Sequence, residues 1–299
     1  MMSSDDLQSS TAPLIEHLTE LRTRLIHSAV AFIIGMVIAY TQAEPIFNFL
    51  TKPLCEVLVN NGQECNLVFI KAQEGFFVAI RISLLGGFIL AFPYIAVQMW
   101  RFVAPGLYKT EKGAFLPFLV ASPFMFLLGA SFAYYVITPL AFQFFLSFQQ
   151  LGSAPDASAD IARTIPSVVF QGSAEEYLAL TIKFIVAFGL TFQLPVLLTL
   201  MGKVGLVSAA GLRKVRKYAI VGILVLAAVV TPPDVVTQII LFTVVYGLYE
   251  ISIQLVRRVE KKREEKLKAE GLWDDDIDGE ASDDAEADGA ETTPSDDKS

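Results

Sequence analysis

Few side chains in this 299-residue chain are of types that do chemistry, and their spacing argues against catalysis. The two histidines, His17 and His27, stand one before the first apolar run and one just inside it, so no metal site is expected. No G-x-x-x-x-G-K-[ST], H-E-x-x-H or G-x-S-x-G stretch occurs, so neither nucleotide, zinc-protease nor serine-hydrolase chemistry is expected, and no cofactor. What remains are carboxylates and amides at particular depths. Glu20 stands four residues before Arg24, the spacing of an ordinary helical ion pair. Glu111 lies beside Lys109 and Lys112. Arg81, Lys183, Gln193 and Glu250 interrupt apolar runs, and a charge at bilayer mid-depth costs on the order of 2.5–3.5 kcal/mol. Arg81 and Lys183 are within roughly 9 Å of the ends of their runs and can reach the interface. Glu250 is about 9 Å from the end of its run and less free. Gln193, about 13 Å in, lies near the midplane, where a bond to a neighbouring helix and a functional role both remain open.

These residues are positioned by long apolar runs. The chain is 54% hydrophobic with a mean hydropathy of +0.52, above the roughly 45–50% of soluble domains. A bilayer core needs roughly 20 apolar residues per helix. Six runs qualify as spans: 25–42, 76–100, 114–145, 177–201, 218–231 and 235–256. The third is overlong. The fifth is short, and a re-entrant hairpin of the fifth and sixth is the alternative. Pro93, Pro123 and Pro195 lie within spans and are expected to kink them. Lys and Arg concentrate before span one, between spans two and three, between four and five, and after six. The opposite loops hold only Lys52, Lys71 and Arg163. The positive-inside rule then places both termini in the cytoplasm, which an even number of spans requires. Asp5 and Asp6 stand where a cleavable leader would be basic, so the first run reads as a retained anchor.

The expected organisation is a cytoplasmic amphipathic helix over 1–24, a six-span all-α membrane domain over 25–256, and a basic-then-acidic tail over 257–299. The tail is too poor in apolar side chains to fold. Nucleic-acid binding is not expected, since no basic face with interleaved aromatics occurs. The two long outer loops are candidates for small capping structure. Cys55 and Cys65 both fall in the first of them, where a disulfide and two free thiols are both open.

Three stretches carry a resemblance. Leu14, Leu18, Leu21 and Leu25 recur at helical spacing around His17-Leu18-Thr19-Glu20-Leu21-Arg22-Thr23-Arg24-Leu25. Trp100, Phe102, Ala104, Pro105, Leu107, Tyr108 and Glu111 follow span two. Phe188-Gly189, Phe192-Gln193-Leu194-Pro195 and Thr231-Pro232-Pro233-Asp234 complete the set. In this order, over roughly 13–256, the chain resembles the TatC family of the twin-arginine protein translocase.

The resemblance implies a concave six-helix scaffold, N-in and C-in, in the bacterial inner membrane. It implies a receptor that binds twin-arginine signal peptides and moves folded proteins with the proton-motive force, assembling with TatB, TatA, other TatC copies and membrane lipid. It implies that Glu20 and Glu111 receive the two arginines, since carboxylates take guanidiniums through strong paired hydrogen bonds. Phe102, Pro105, Leu107 and Tyr108 would shape the loop, and Arg22 would either join the site or only enforce topology. Thr231 and Gln238 would dock TatA and TatB, with packing inside the bundle as the alternative. At Gln193 the family often carries Glu, so a titratable group there is not expected here. A secondary transporter would need related halves with paired broken helices, and no internal repeat is seen. An intramembrane enzyme would need a nucleophile–base or metal constellation at depth, and none is seen.

Overall fold

The computed structural model of the protein describes residues 4–103, 116–148, 172–231 and 235–269, with residues 4–17 as backbone alone. The chain runs α1 (Ser4–Thr41), α2 (Ala43–Asn60), β1 (Leu67–Val68), α3 (Glu74–Val103), α4 (Leu116–Phe132), a π turn (Ala133–Ile137) and α5 (Thr138–Ser147). It continues through β2 (Gly172–Ser173), α6 (Ala174–Thr191), α7 (Leu194–Val204), α8 (Ala209–Lys214), α9 (Arg216–Val230) and α10 (Val235–Ala269). The protein is an essentially all-helical, multi-pass membrane protein. Among the described residues, five helical stretches are long and apolar enough to cross a bilayer: Leu18–Thr41, Glu74–Phe102, Pro117–Ser147, Ala174–Val204 and Val235–Glu265. The fifth expected span, 218–231, is the 15-residue α9. At about 1.5 Å per residue it reaches roughly 22 Å and falls short of the length of the others.

Several expected boundaries shift for identifiable reasons. The amphipathic helix and first span fuse into the single helix α1, because nothing between Ser4 and Thr41 breaks it except Pro13 in its early part. The third span runs on to Ser147 through the π turn, with Pro139 placed just after the widened turn. The fourth span is two helices. Pro195 has no N–H to continue the ladder, so Gln193 N–H turns back to Leu190 O at 3.0 Å and α7 starts afresh with Pro195 in its first turn. Pro93 and Pro123 instead stay inside α3 and α4.

Close helix crossings set the spacing. A Cβ on Gly87 would lie 2.6 Å from Met36 N, and one on Gly35 2.8 Å from Gly87 O, so α1 and α3 meet backbone to backbone. A Cβ on Gly189 would strike the Phe126 ring at 2.5 Å. Phe126 in turn stacks on Phe92 with centroids 4.0 Å apart. The main core gathers Ile82, Tyr134, Ile137, Leu178, Phe184 and Phe188, all buried.

The stretch expected as the first outer loop, a candidate for small capping structure, is mostly helix, α2. Pro53 sits inside it and cannot bond Phe49 O. Tyr134 Oη donates to that carbonyl at 2.6 Å, and Tyr177 Oη donates to the adjacent Leu50 O at 2.7 Å. β1 and β2 pair in parallel, Leu67 with Gly172 and Val68 with Ser173, and so tie the α2–α3 connection to the start of α6. A disulfide joins Cys55 and Cys65, whose Cα atoms are 5.0 Å apart.

Candidate functional site

An open cavity of about 670 Å³ lies where the start of α1 faces the end of α3, and is lined by Thr19, Glu20, Thr23, Arg24, His27, Tyr94, Gln98 and Arg101. α1 presents Glu20 and Arg24 on one face because they are one turn apart. The antiparallel α3 brings Gln98 against them, and the glycine crossing at Gly35 and Gly87 fixes the approach.

The hydrogen bonding is specific. Arg24 Nε and Nη2 both donate to Glu20 Oε1, at 2.9 and 2.5 Å. Arg24 Nη1 donates to Gln98 Oε1 at 3.1 Å. Gln98 is only 8% exposed, while the Arg24 and Glu20 side chains keep 25% and 33% of their surface. Both arginine bonds land on one carboxylate oxygen. Glu20 Oε2 accepts no bond among the described residues and is open to a second donor. Gln98 was not singled out by sequence reasoning. Its signal was an amide in an otherwise apolar run, two residues before Trp100.

Arg22 is exposed, on the far side of the turn from the cavity, and Phe102 is half-buried at the end of α3. Pro105, Leu107, Tyr108 and Glu111 fall outside the described residues. Gln193 bridges α7 to α4 with a reciprocal pair of bonds. Its Oε1 accepts from Ser122 Oγ and its Nε2 donates to Ser122 O, each at 2.8 Å. Two proline-disturbed segments, Ser122-Pro123 and Gln193-Leu194-Pro195, are thereby clamped together. Glu250 is held by Arg216 through one hydrogen bond, Nη2 to Oε2 at 2.9 Å, and an ion-pair contact of Nε with Oε1 at 2.8 Å. Thr231 is buried and returns its hydroxyl to Ala227 O at 2.8 Å, whereas Gln238 is half-buried on α10.

The opposite end holds groups that sequence reasoning undervalued. Glu74, 2% exposed, accepts from Ile70 N, Lys71 N, Ser173 Oγ and Glu175 N at 2.6–3.1 Å. Its charge is thus met by donors from the α2–α3 connection and from the start of α6. Arg81 does not reach for the interface alone but pairs with Glu175 at 2.9 Å. Lys183 donates to Val229 O at 2.6 Å, capping the carbonyl end of short α9.

The family model for "Sec-independent protein translocase protein (TatC)" matches residues 16–243, three quarters of the sequence and all of the cavity. The chain belongs to the TatC family. It is 45% identical over 275 residues to the TatC of Magnetococcus marinus, covering 89% of this chain and 95% of that relative. It is 40% identical over 259 residues to that of Aquifex aeolicus, covering 86% and 100%. Among solved structures it is similar to the crystal structure of a twin-arginine translocase receptor TatC. The TM-score is 0.68 at 39% identity, over 82% of this chain and 99% of that one. As a TatC-family chain it is a component of Sec-independent protein translocation, with a role in transport.

Proposed function

We propose that this chain is the receptor subunit of a twin-arginine translocase, with both termini cytoplasmic and six spans in the bacterial inner membrane. The observation that carries the reading is the open groove at Glu20, in which one carboxylate oxygen is anchored and the other accepts no bond among the described residues. A guanidinium is permanently charged and presents a rigid fork of donors. Arg24 holds Glu20 Oε1 from one side, and Gln98 holds Arg24. An incoming arginine then meets a carboxylate whose rotamer is already fixed, which lowers the ordering cost of binding. The second arginine falls to Glu111, in the connection between α3 and α4. Phe102, Pro105, Leu107 and Tyr108 shape that connection.

The remaining assignments follow the same reading. Short α9 leaves roughly 8 Å of a 30 Å core uncovered, met by local thinning or by partner helices. The α9–α10 end, with Thr231 and Gln238, is where the single-span partners TatA and TatB dock. Further copies of this chain complete the assembly, and the proton-motive force drives transport. The test is export of a folded twin-arginine reporter in cells carrying Glu20→Ala or Glu111→Ala. Export falls strongly in Glu111→Ala and measurably in Glu20→Ala, at unchanged levels of the protein. Normal export in both refutes the assignment.

A further inference from the structure

Helix α10 does not end where its apolar run ends. It continues as an arm to Ala269, and the arm is fastened on one side. Val256 packs where Gly202 has no side chain, 2.7 Å from the position a Cβ would take. Glu260 Oε1 accepts from Ala209 N at 2.9 Å and so caps α8. The Arg263 guanidinium covers Gly205, which turns the chain at φ +83°. The buried stripe of α10, with Tyr249, Ile253 and Val256, thus carries straight on into Glu260 and Arg263.

Helical periodicity puts Arg257, Arg258, Lys261 and Lys262 on the other side, and all four are exposed. Arg257, Arg258 and Lys262 form no ion pair among the described residues, and Lys261 reaches Glu265 only at 3.9 Å with both groups exposed. About two to three turns earlier, in line with Arg258 and Lys262, the helix presents Ile251, 49% exposed on a helix apolar enough to cross a bilayer. The surface that meets acyl chains therefore runs directly into four cations at the depth of the headgroups, on an arm fixed by its opposite face.

We propose that this face of α10 is a binding site for the headgroup phosphates of anionic membrane lipids, with Arg257 and Arg258 as its principal ligands. Guanidiniums suit phosphate oxygens through paired donors. Lipid is the occupant, rather than free phosphate, because the cations continue an acyl-facing surface. The docked arm keeps them at fixed depth instead of letting them follow solvent.

The test uses the full chain in mixed micelles of phosphatidylcholine and phosphatidylglycerol, with retained lipid counted by native mass spectrometry. A cation near an anionic surface is worth about fivefold in affinity. Arg257→Gln with Arg258→Gln is thus expected to lower the preference for phosphatidylglycerol on the order of 25-fold. Arg213→Gln with Lys214→Gln, an equal loss of charge on α8, lowers it less than fivefold. In the unaltered protein, raising salt from low to high ionic strength removes the preference without removing phosphatidylcholine. Millimolar inorganic phosphate does not displace the retained lipid. Equal losses in the two double variants would overturn the proposal, as would a preference indifferent to salt or displacement by inorganic phosphate.

Discussion

Gly87→Ala is the substitution through which packing and site are most directly coupled. A Cβ there would lie 2.6 Å from Met36 N and 2.7 Å from Met36 Cα, both backbone atoms that cannot rotate away. An ordinary contact begins near 3.4 Å, so α1 and α3 must part by about 0.8 Å. Overpacking of this kind costs typically 1–3 kcal/mol. The same displacement at the cavity lengthens the 3.1 Å bond between Arg24 and Gln98 beyond hydrogen-bonding range. Losing about 1 kcal/mol of preorganisation there weakens capture of a twin-arginine peptide roughly fivefold. Gly247→Ala is the matched control, since a Cβ at Gly247 meets nothing within 4 Å. There the change removes a helix-interior glycine and is neutral or favourable by up to about 1 kcal/mol. Thermal unfolding of the detergent-solubilised chain and peptide titration read the two effects. Equal melting temperatures and equal peptide affinities for Gly87→Ala and Gly247→Ala would refute the reasoning.

Other outcomes follow from the bonds described. Tyr177→Phe leaves Leu50 O beside the Pro53 kink without its donor, and lowers stability by about 1–3 kcal/mol in denaturation experiments. Gln193→Ala removes both bonds to Ser122 and costs about 1–2 kcal/mol, while Gln193→Glu keeps one acceptor and loses the donor to Ser122 O. Paired Cys55→Ser and Cys65→Ser variants release a short loop and cost roughly 2–3 kcal/mol, seen as a lower melting temperature and faster proteolysis of the α2 region. Lys183→Met uncaps Val229 O, and amide exchange at the end of α9 is expected to rise while that of α3 is unchanged.

The membrane class, the five stretches long and apolar enough to cross a bilayer and the family were all legible in the sequence, because each rests on runs or motifs that are local. The leucine spacing from Leu14 to Leu25 gives a helix, and Glu20 and Arg24 pair as an i,i+4 spacing suggests. The Gln98 link to Arg24 was not legible, since it joins positions 74 residues apart. Helix α2 lies in a stretch that reads only as a loop with small capping structure, and the donor that Phe49 O lacks because of Pro53 comes from Tyr134, 85 residues away. The break before Pro195 was expected as a kink. It becomes a full interruption because Gln193 turns its backbone N–H to Leu190 and its side chain to Ser122. Glu74 gave no signal in the sequence, because its four donors converge from two loops about a hundred residues apart.

The proposed function requires carboxylates at one end of the bundle to receive a guanidinium pair. The most direct measurement is fluorescence anisotropy of a labelled signal peptide titrated with the full chain in detergent, against Glu20→Gln, Glu111→Gln and a peptide with both arginines changed to lysine. Loss of a charged hydrogen-bond partner is worth about 1.5–3 kcal/mol, so each carboxylate change is expected to weaken binding by about 10-fold or more, while the lysine peptide keeps its charge, loses the paired fork and binds more weakly than the arginine peptide. The lysine peptide should be no weaker against Glu111→Gln than the loss of one shared contact allows. Unaltered affinity in both carboxylate variants, or equal affinity for the arginine and lysine peptides, would contradict it.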